Sequence, residues 1–169
     1  MTRILAAMSA DAPALKSLVE GAYRGDSARQ GWNHEADILD DERITLEEIE
    51  GMLADPAVSV LIARGEDDAL LGCVAVTRKD ERLGYLGTFC VDPGFQSGGL
   101  GSRLLAAAEE HARALGIRAM EMNVITEREV LIAWYERRGY SRTGETRPFP
   151  VLRDPPIEFT VLEKPLGAP

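Results

Sequence analysis

The chain has 169 residues, 45% of them hydrophobic and 6% aromatic, and its 28 acidic and 19 basic side chains give a formal net charge of -9. A chain of this length buries about two thirds of its unfolded surface, so it needs neither a metal nor a disulfide for stability. The apolar fraction excludes intrinsic disorder. We expect one domain over residues 1–169.

Charge and hydropathy narrow the choice of partners. A net charge of -9, with no Lys/Arg run longer than the pair Arg137 and Arg138, argues against nucleic acid and favours an amine or another cation. No apolar run reaches the ~20 residues of a membrane helix, and the N-terminal stretch turns acidic too soon for a signal peptide. We predict a cytoplasmic protein that binds no membrane, and we leave a homodimer open.

The cysteines and histidines predict neither a redox site nor a metal site. Cys73 and Cys90 lie far apart in apolar stretches without a C-x-x-C spacing, so we interpret both as reduced core residues. His34 and His111 share no metal-ligand spacing. We therefore expect no bound metal.

The first third of the chain predicts a short strand and two helices that are separated by a long polar loop. Thr45 and Glu48 form a capping box that begins the second helix, and Asp55-Pro56 ends it. Loops of this length inside compact domains are usually functional or disordered, and Trp32 favours function. The predicted ranges are 3–6 for the strand, 12–23 for the first helix and 24–43 for the loop.

The rest of the chain predicts six strands and two helices, an order typical of a mixed α/β sheet that helices cover. Residues 65–68 join the first two strands as a hairpin. Thr126 and Glu129 form a second capping box. Gly116 and Gly139 end the helices. The strands are 58–63, 70–77, 85–91, 117–125, 140–143 and 157–162, and the helices run from 100 to 115 and from the Thr126 cap to Arg138.

The most informative segment, residues 91–102, joins a strand to a helix and contains three glycines within four positions. Glycine lets a backbone approach a ligand closely, and a helix N-terminus presents N–H groups and partial positive charge to an anion. A tight turn with a helix cap is the alternative. The combination of strand, proline, glutamine, glycines and helix favours a pyrophosphate cradle.

Two other phosphate motifs fit this segment less well. A Walker loop requires Lys and Ser/Thr where Leu100 and Gly101 stand. The dinucleotide pattern accommodates Gly99-x-Gly101 and places Glu121 at the distance of a ribose-binding acid, but Leu104 occupies its third glycine position. A nucleotide-dependent oxidoreductase is therefore the third interpretation.

The segment resembles motif A of the GNAT acyltransferase superfamily, V-x-P-x-x-Q/R-x-x-G-x-G/A. Residues 133–140, AWYERRGY, resemble motif B, so the resemblance covers nearly the whole chain. It implies a single-domain α/β fold, in which a mixed, mostly antiparallel sheet has splayed central parallel strands and is flanked by helices. The matching positions of motif A are Val91, Pro93, Gln96, Gly99 and Gly101.

The resemblance also implies where the cofactor, acetyl-CoA, binds. The thioester arm lies in a V-shaped opening between the strand that ends near Val91 and the strand that starts near Ile117, and the first strand pairs with it as with an added strand. N–H groups of the cradle hold the pyrophosphate, with Arg103 as a nearby countercharge. The expected cofactor-binding residues are Phe89, Cys90, Val91, Gln96, Ser97, Gly98, Gly99, Leu100, Gly101, Ser102, Arg103 and Asn123.

The pattern assigns Tyr135 as the acid that protonates the leaving thiolate, and a backbone N–H near Val91 takes the oxyanion. The general base is open. Tyr85 occupies the strand position at which the histone-acetylating branch has a Glu, so the proton leaves through water to Glu121, Glu35 or Asp37, or directly to solvent. Arg128 also departs from the family, which often has Asn there.

The acceptor is expected to be a primary amine of a small molecule, an amino acid or a peptide. Residues 22–25, residues 31–37 with Arg43, and residues 143–150 resemble a group of small microbial GNAT proteins, most of which have no firmly assigned substrate. Trp32 and the acidic side chains near it suit an ammonium group, although a solvated acidic loop explains them equally well. The expected substrate-binding residues are Trp32, Glu35, Asp37, Tyr85 and Glu121. A catalytically inactive acyl-CoA sensor is the rival function.

Overall fold

The computed structural model describes residues 2–23, 44–150 and 154–167. Within them the strands are β1 Arg3–Ala6, β2 Val58–Arg64, β3 Leu70–Arg78, β4 Leu83–Val91, β5 Ala119–Ile125, β6 Ser141–Pro148 and β7 Glu158–Pro165. They form one sheet in the order β1-β2-β3-β4-β5-β7-β6. All neighbours are antiparallel except β4 and β5, which are parallel. The predicted mixed, mostly antiparallel sheet is confirmed.

The helices of the described residues cover both faces of this sheet. They are α1 Ala12–Tyr23, α2 Leu46–Ala54, α3 Leu100–Ala114 and α4 Glu129–Glu136. Successive side chains of β3 enter opposite cores: Val74 and Val76 pack with α3 and α4, and Cys73 and Ala75 pack with α1 and α2. The central strands are continuous apolar runs because both of their faces are covered. None of the helices in the described ranges is long and apolar enough to cross a membrane.

The first predicted capping box is confirmed and the second is wrong. The Glu48 N–H donates to Thr45 Oγ1 at 3.1 Å, and the Thr45 N–H donates to Glu48 Oε2 at 2.7 Å. At the second position the N-cap of α4 is Arg128, without a side-chain cap bond. Thr126 instead shares a hydrogen bond with the Thr160 hydroxyl at 2.9 Å. Its hydroxyl faces β7, because the backbone at this point still follows β5.

The C-terminal strands are longer than predicted. We expected a strand over 140–143, whereas β6 continues to Pro148 and pairs with β7 across a register shift between Arg142 and Thr146. β6 is an edge strand whose residues are mostly exposed, so it lacks the apolar alternation that predicts a strand. β7 lies between β5 and β6, which places β6 at the edge of the sheet, one strand away from β5.

Candidate active site

The central parallel strands separate after a short paired stretch. β4 and β5 pair over three residue pairs, of which Tyr85 and Glu121 are the last. Beyond this pair lies a cavity of about 290 Å³. Its walls include Phe89 of β4, Asn123 of β5 and Tyr135 of α4. The splayed parallel pair predicted from the family resemblance is therefore present, and it opens toward the C-terminal ends of both strands.

A bulge in β4 accounts for the divergence. One residue of β3, Val74, faces two residues of β4, Thr88 and Phe89, where the register shifts. Thr88 has a φ of 45°, in the left-handed region that a β-branched residue rarely adopts. Bulges bend the strand that carries them and increase its twist. The bulge thus turns β4 away from β5 where the cavity begins.

The glycine-rich segment begins directly at the end of β4. The Gly94 N–H donates to Asp92 Oδ1 at 2.9 Å, and residues Pro93–Gly98 form a 3-10 turn. Gly99 then caps α3 with a φ of 79°. A left-handed residue at a helix N-terminus turns the chain sharply, and glycine adopts this conformation without steric strain. The Arg103 N–H bonds to the Gly99 carbonyl at 3.2 Å, which closes the first turn of α3.

The cradle fits a bulky anion. The N–H groups of the first helical turn have no acceptor within a helix, so they point out of its end. A Cβ on Gly98 or Gly99 would meet no described heavy atom within 4 Å. At Gly101 a Cβ would meet Trp134 Cζ2 at an ordinary 3.7 Å. Among the described residues no close contact requires glycine at Gly98 or Gly101, so both positions have room for a bound group.

Tyr135 lies at the cavity and is only 5% exposed. Its ring contacts Trp134 and Tyr140 edge-on, with centroid distances of 5.1 and 5.7 Å. Burial raises the pKa of the Tyr135 phenol well above its usual range, and Tyr85 raises it further. The phenol is therefore protonated at every physiological pH. It is a weaker acid than the unperturbed side chain that the sequence suggested.

Glu121 is in the site region but is already paired. Arg147 Nη1 and Nη2 donate to its two carboxylate oxygens, each at 3.2 Å. The same guanidinium donates to Asn123 Oδ1 at 3.1 Å and to Glu145 Oε2 at 2.9 Å. The hydrogen bond to Glu121, and after it the hydrogen bond to Glu145, raise the pKa of Arg147. A bidentate partner occupies the carboxylate that the dinucleotide pattern would require for a ribose.

Sequence reasoning missed Arg147. It lies on β6, and its partner Glu121 is 26 residues away in sequence. A weak signal was present, because Glu145 and Arg147 are two residues apart and so share one face of a strand. That signal needed β6 to be predicted as a strand over those residues, and it was not.

Other predicted residues lie in several environments. The Cys90 side chain packs in the α1–α2 core with its sulfur 3.6 Å from that of Cys73, and both are free thiols, as expected. Arg103 donates from Nη2 to the Thr2 carbonyl at 3.1 Å. The loop residues Trp32, Glu35 and Asp37 lie outside the described residues. Over the described ranges no cluster of His, Cys, Asp or Glu is placed to hold a metal ion.

The sequence profile of the acetyltransferase (GNAT) family matches residues 18–140, a span that includes the splayed strands, the cradle and Tyr135. The chain belongs to this family. Enzymes of this family use acetyl-CoA as the acyl donor, so the match supports CoA rather than a dinucleotide at the cradle.

The relatives with similar sequences are acetyltransferases that are named for different substrates. The chain is 32% identical to a mycothiol acetyltransferase from Actinosynnema mirum over 73% of its own length and 41% of the relative's. It is 32% identical to an IAA acetyltransferase from Azospirillum brasilense over 68% and 72% of the two lengths. The chain thus spans less than half of the mycothiol relative.

The fold comparison covers nearly both complete chains. The crystal structure of the ribosomal-protein-S18-alanine N-acetyltransferase from Escherichia coli superimposes with a TM-score of 0.78 at 15% identity, over 100% of this chain and 96% of that one. At this identity the likeness concerns the fold alone.

Proposed function

We propose that this chain transfers an acetyl group from acetyl-CoA to a primary amine of a small molecule, an amino acid or a peptide. One observation carries the proposal: the buried Tyr135 and the bulged strand β4 line the same cavity, and β4 leads directly into the glycine cradle. Acyl transfer from CoA requires a cavity for the thioester, a site for the pyrophosphate and a proton donor for the leaving thiolate.

The chain's own backbone provides the proposed cofactor site. The N–H groups from Gln96 to Ser102 bind the pyrophosphate, and the backbone of Phe89, Cys90 and Val91 runs beside the pantetheine arm as a neighbouring strand does. A backbone N–H near Val91 stabilises the oxyanion. Asn123 reaches the cavity from the opposite strand. When bound, acetyl-CoA supplies the activated acyl group.

Tyr135 acts as the general acid. A thiol has an unperturbed pKa of about 8.5, so a phenol with a raised pKa gives up its proton only as the thiolate forms in direct hydrogen-bond contact. The raised pKa of Tyr135 keeps the proton in place until that moment. The aromatic contacts of the ring fix the position of the hydroxyl, so that the proton is held where the thiolate forms.

Glu121 is a poor candidate for the base, because Arg147 engages both of its oxygens. Tyr85, Asn123 and Arg128 line the cavity, and none of the described lining residues is a carboxylate. We propose that the amine loses its proton to water, with Glu35 and Asp37 as the candidate final acceptors. Trp32, Glu35, Asp37 and Tyr85 remain the proposed residues for binding the amine, and Glu121 contributes through Arg147.

We further propose that the protein acts in the cytoplasm and binds no nucleic acid. Two free thiols 3.6 Å apart suit a reducing compartment, and a net charge of -9 repels phosphate backbones. A homodimer stays a prediction.

The test is an amine panel, read out by CoA thiol release and by the mass of the product. Acetylation of at least one small amine, amino acid or peptide, with loss of turnover in Tyr135→Phe, is the expected result. Tight CoA binding without thiol release for any amine would overturn the proposal in favour of an acyl-CoA sensor.

A further inference from the structure

Arg138, at the end of α4, is tied to the first turn of α3. Its Nε and Nη2 donate to Ser102 Oγ at 3.1 and 2.8 Å, and its Nη1 donates to the Trp134 carbonyl at 2.9 Å. The guanidinium lies over the indole of Trp134, with its Cζ 3.7 Å from the ring centroid. The cation is thus held next to Ser102, and the Trp134 ring on which it stacks is also the ring that a Cβ on Gly101 would contact, at 3.7 Å from Cζ2.

Within the described ranges the partners of Arg138 are all neutral, although the chain as a whole is acidic. A hydroxyl, a carbonyl and an aromatic ring hold it, whereas Arg147 and Arg64 are paired with carboxylates. Burial lowers the pKa of Arg138, and the neighbouring Arg137 lowers it further. Both effects disfavour the charged form, and the negative charge of a bound anion would offset them by direct attraction.

The geometry leaves hydrogen-bonding capacity for that anion. A guanidinium has five N–H groups, and the contacts within the described part of the chain use three of them. Two fixed N–H groups on a planar cation match two oxygens of a phosphate. The ring stacking and the Ser102 bonds restrict the side chain beforehand, so little rotamer freedom remains to be lost on binding.

Arg103, the countercharge expected from the sequence, is placed differently. It follows Ser102 directly on α3, but its guanidinium donates to the Thr2 carbonyl beside β1 and its side chain is exposed. Consecutive helical residues point about 100° apart, which explains why Ser102 faces α4 and Arg103 does not. The guanidinium beside Ser102 therefore comes from the turn that follows α4 rather than from α3.

We infer that Arg138, stacked on Trp134 and anchored to Ser102, binds a phosphate group of CoA. The inference rests on the proposed function for its ligand, and it adds a side chain outside the glycine motif to a site otherwise built from backbone N–H groups. The phosphate is either the diphosphate or the 3′-phosphate of the nucleotide. The two cases differ in whether the loss of Arg138 also weakens the binding of 3′-dephospho-CoA.

The test is calorimetric titration of the full chain with CoA and with 3′-dephospho-CoA. Arg138→Gln is compared with Arg137→Gln, which removes the same charge from the adjacent exposed position. We expect Arg138→Gln to weaken CoA binding by about 10-fold or more and Arg137→Gln to weaken it by less than about 2-fold. If Arg138 binds the 3′-phosphate, wild-type protein and Arg138→Gln bind 3′-dephospho-CoA with the same affinity, which is lower than the affinity of the wild type for CoA. If it binds the diphosphate, Arg138→Gln weakens the binding of both ligands equally.

Equal effects of Arg138→Gln and Arg137→Gln would overturn the inference. Circular dichroism on heating checks the fold, and Ser102→Ala, which keeps the cation and removes its anchor, gives a second measurement. If Arg138→Gln does not fold, Ser102→Ala decides the question. An unchanged CoA affinity in Ser102→Ala would then overturn the inference. Wild-type protein that does not bind CoA at all would instead refute the proposed function.

Discussion

On the cofactor side of the cleft the proposed contacts come mostly from one short stretch of chain, whereas on the other side they come from three separate strands. Residues 92–102 supply a turn, a left-handed glycine and a helix N-terminus. Opposite them, Tyr85 comes from β4, Glu121 from β5, and its partner Arg147 from β6.

This difference matches what each side is proposed to bind. A pyrophosphate is recognised by backbone N–H groups, so local turn geometry suffices. An amine must be distinguished from other amines, which requires side chains in a particular arrangement. The ion pair of Arg147 with Glu121 fixes such an arrangement across β5, β7 and β6. The two sides should therefore respond differently to substitution.

The largest effect is expected at the cradle. Gly101→Glu places a carboxylate where the pyrophosphate binds, so CoA affinity should fall by about 100-fold or more. Gly101→Ala is the uncharged comparison: its Cβ meets Trp134 Cζ2 at an ordinary 3.7 Å, so the protein should fold, and the methyl should weaken CoA binding much less than the carboxylate does. Calorimetry measures the affinity, and thermal unfolding shows that both variants fold. Unchanged affinity in folded Gly101→Glu would contradict the placement. Gly99 is less suitable, because its φ of 79° strains any side chain.

The next effect concerns the reaction rather than binding. Tyr135→Phe keeps the packing of the ring and removes the phenolic proton, so kcat should fall by about 100-fold while CoA affinity holds. Tyr140→Phe is the matched control, because the Tyr140 hydroxyl donates to Glu109 Oε2 at 2.8 Å within the core. It should lower stability and spare kcat. A near-normal kcat in Tyr135→Phe, with chemistry rate-limiting, would make Tyr135 structural and leave water as the acid.

A smaller effect is expected on the other side of the cleft. Arg147→Gln leaves the buried Glu121 without its bidentate partner, which should lower the free energy of unfolding by about 1–2 kcal/mol, allowing for the partial exposure of Arg147. Glu121→Gln in the same chain should restore part of that loss. Chemical denaturation measures both. CoA affinity should stay unchanged, and a drop comparable to that of Gly101→Glu would mean that the two sides are not independent.

The same contrast explains what the sequence could predict. The cradle, the first capping box and the helix ends at Gly116 and Gly139 depend on residues within a few positions of one another, and sequence patterns record such local relations. The failures involve distant partners. Thr126 reads as a helix cap until Thr160 is placed 2.9 Å from its hydroxyl. The sequence alone predicts Glu121 as a free acid, because its partner Arg147 comes near only when β6 pairs with β7 in the folded sheet.

The smallest expected effect concerns the pH dependence of kcat, which should show no decline at high pH. An acid catalyst loses activity as pH rises through its pKa, and burial raises the pKa of Tyr135 above its usual value near 10. The protonated form therefore persists at pH 10, and kcat, measured from pH 7 to 10 with saturating amine, should rise as the bound amine deprotonates and then stay level. A decline of the wild-type kcat between pH 8 and 10 that Tyr135→Phe lacks would mean that the phenol titrates in that range. It would then be solvated rather than buried when the acyl group is transferred, and the aromatic packing that fixes its position would not be part of catalysis.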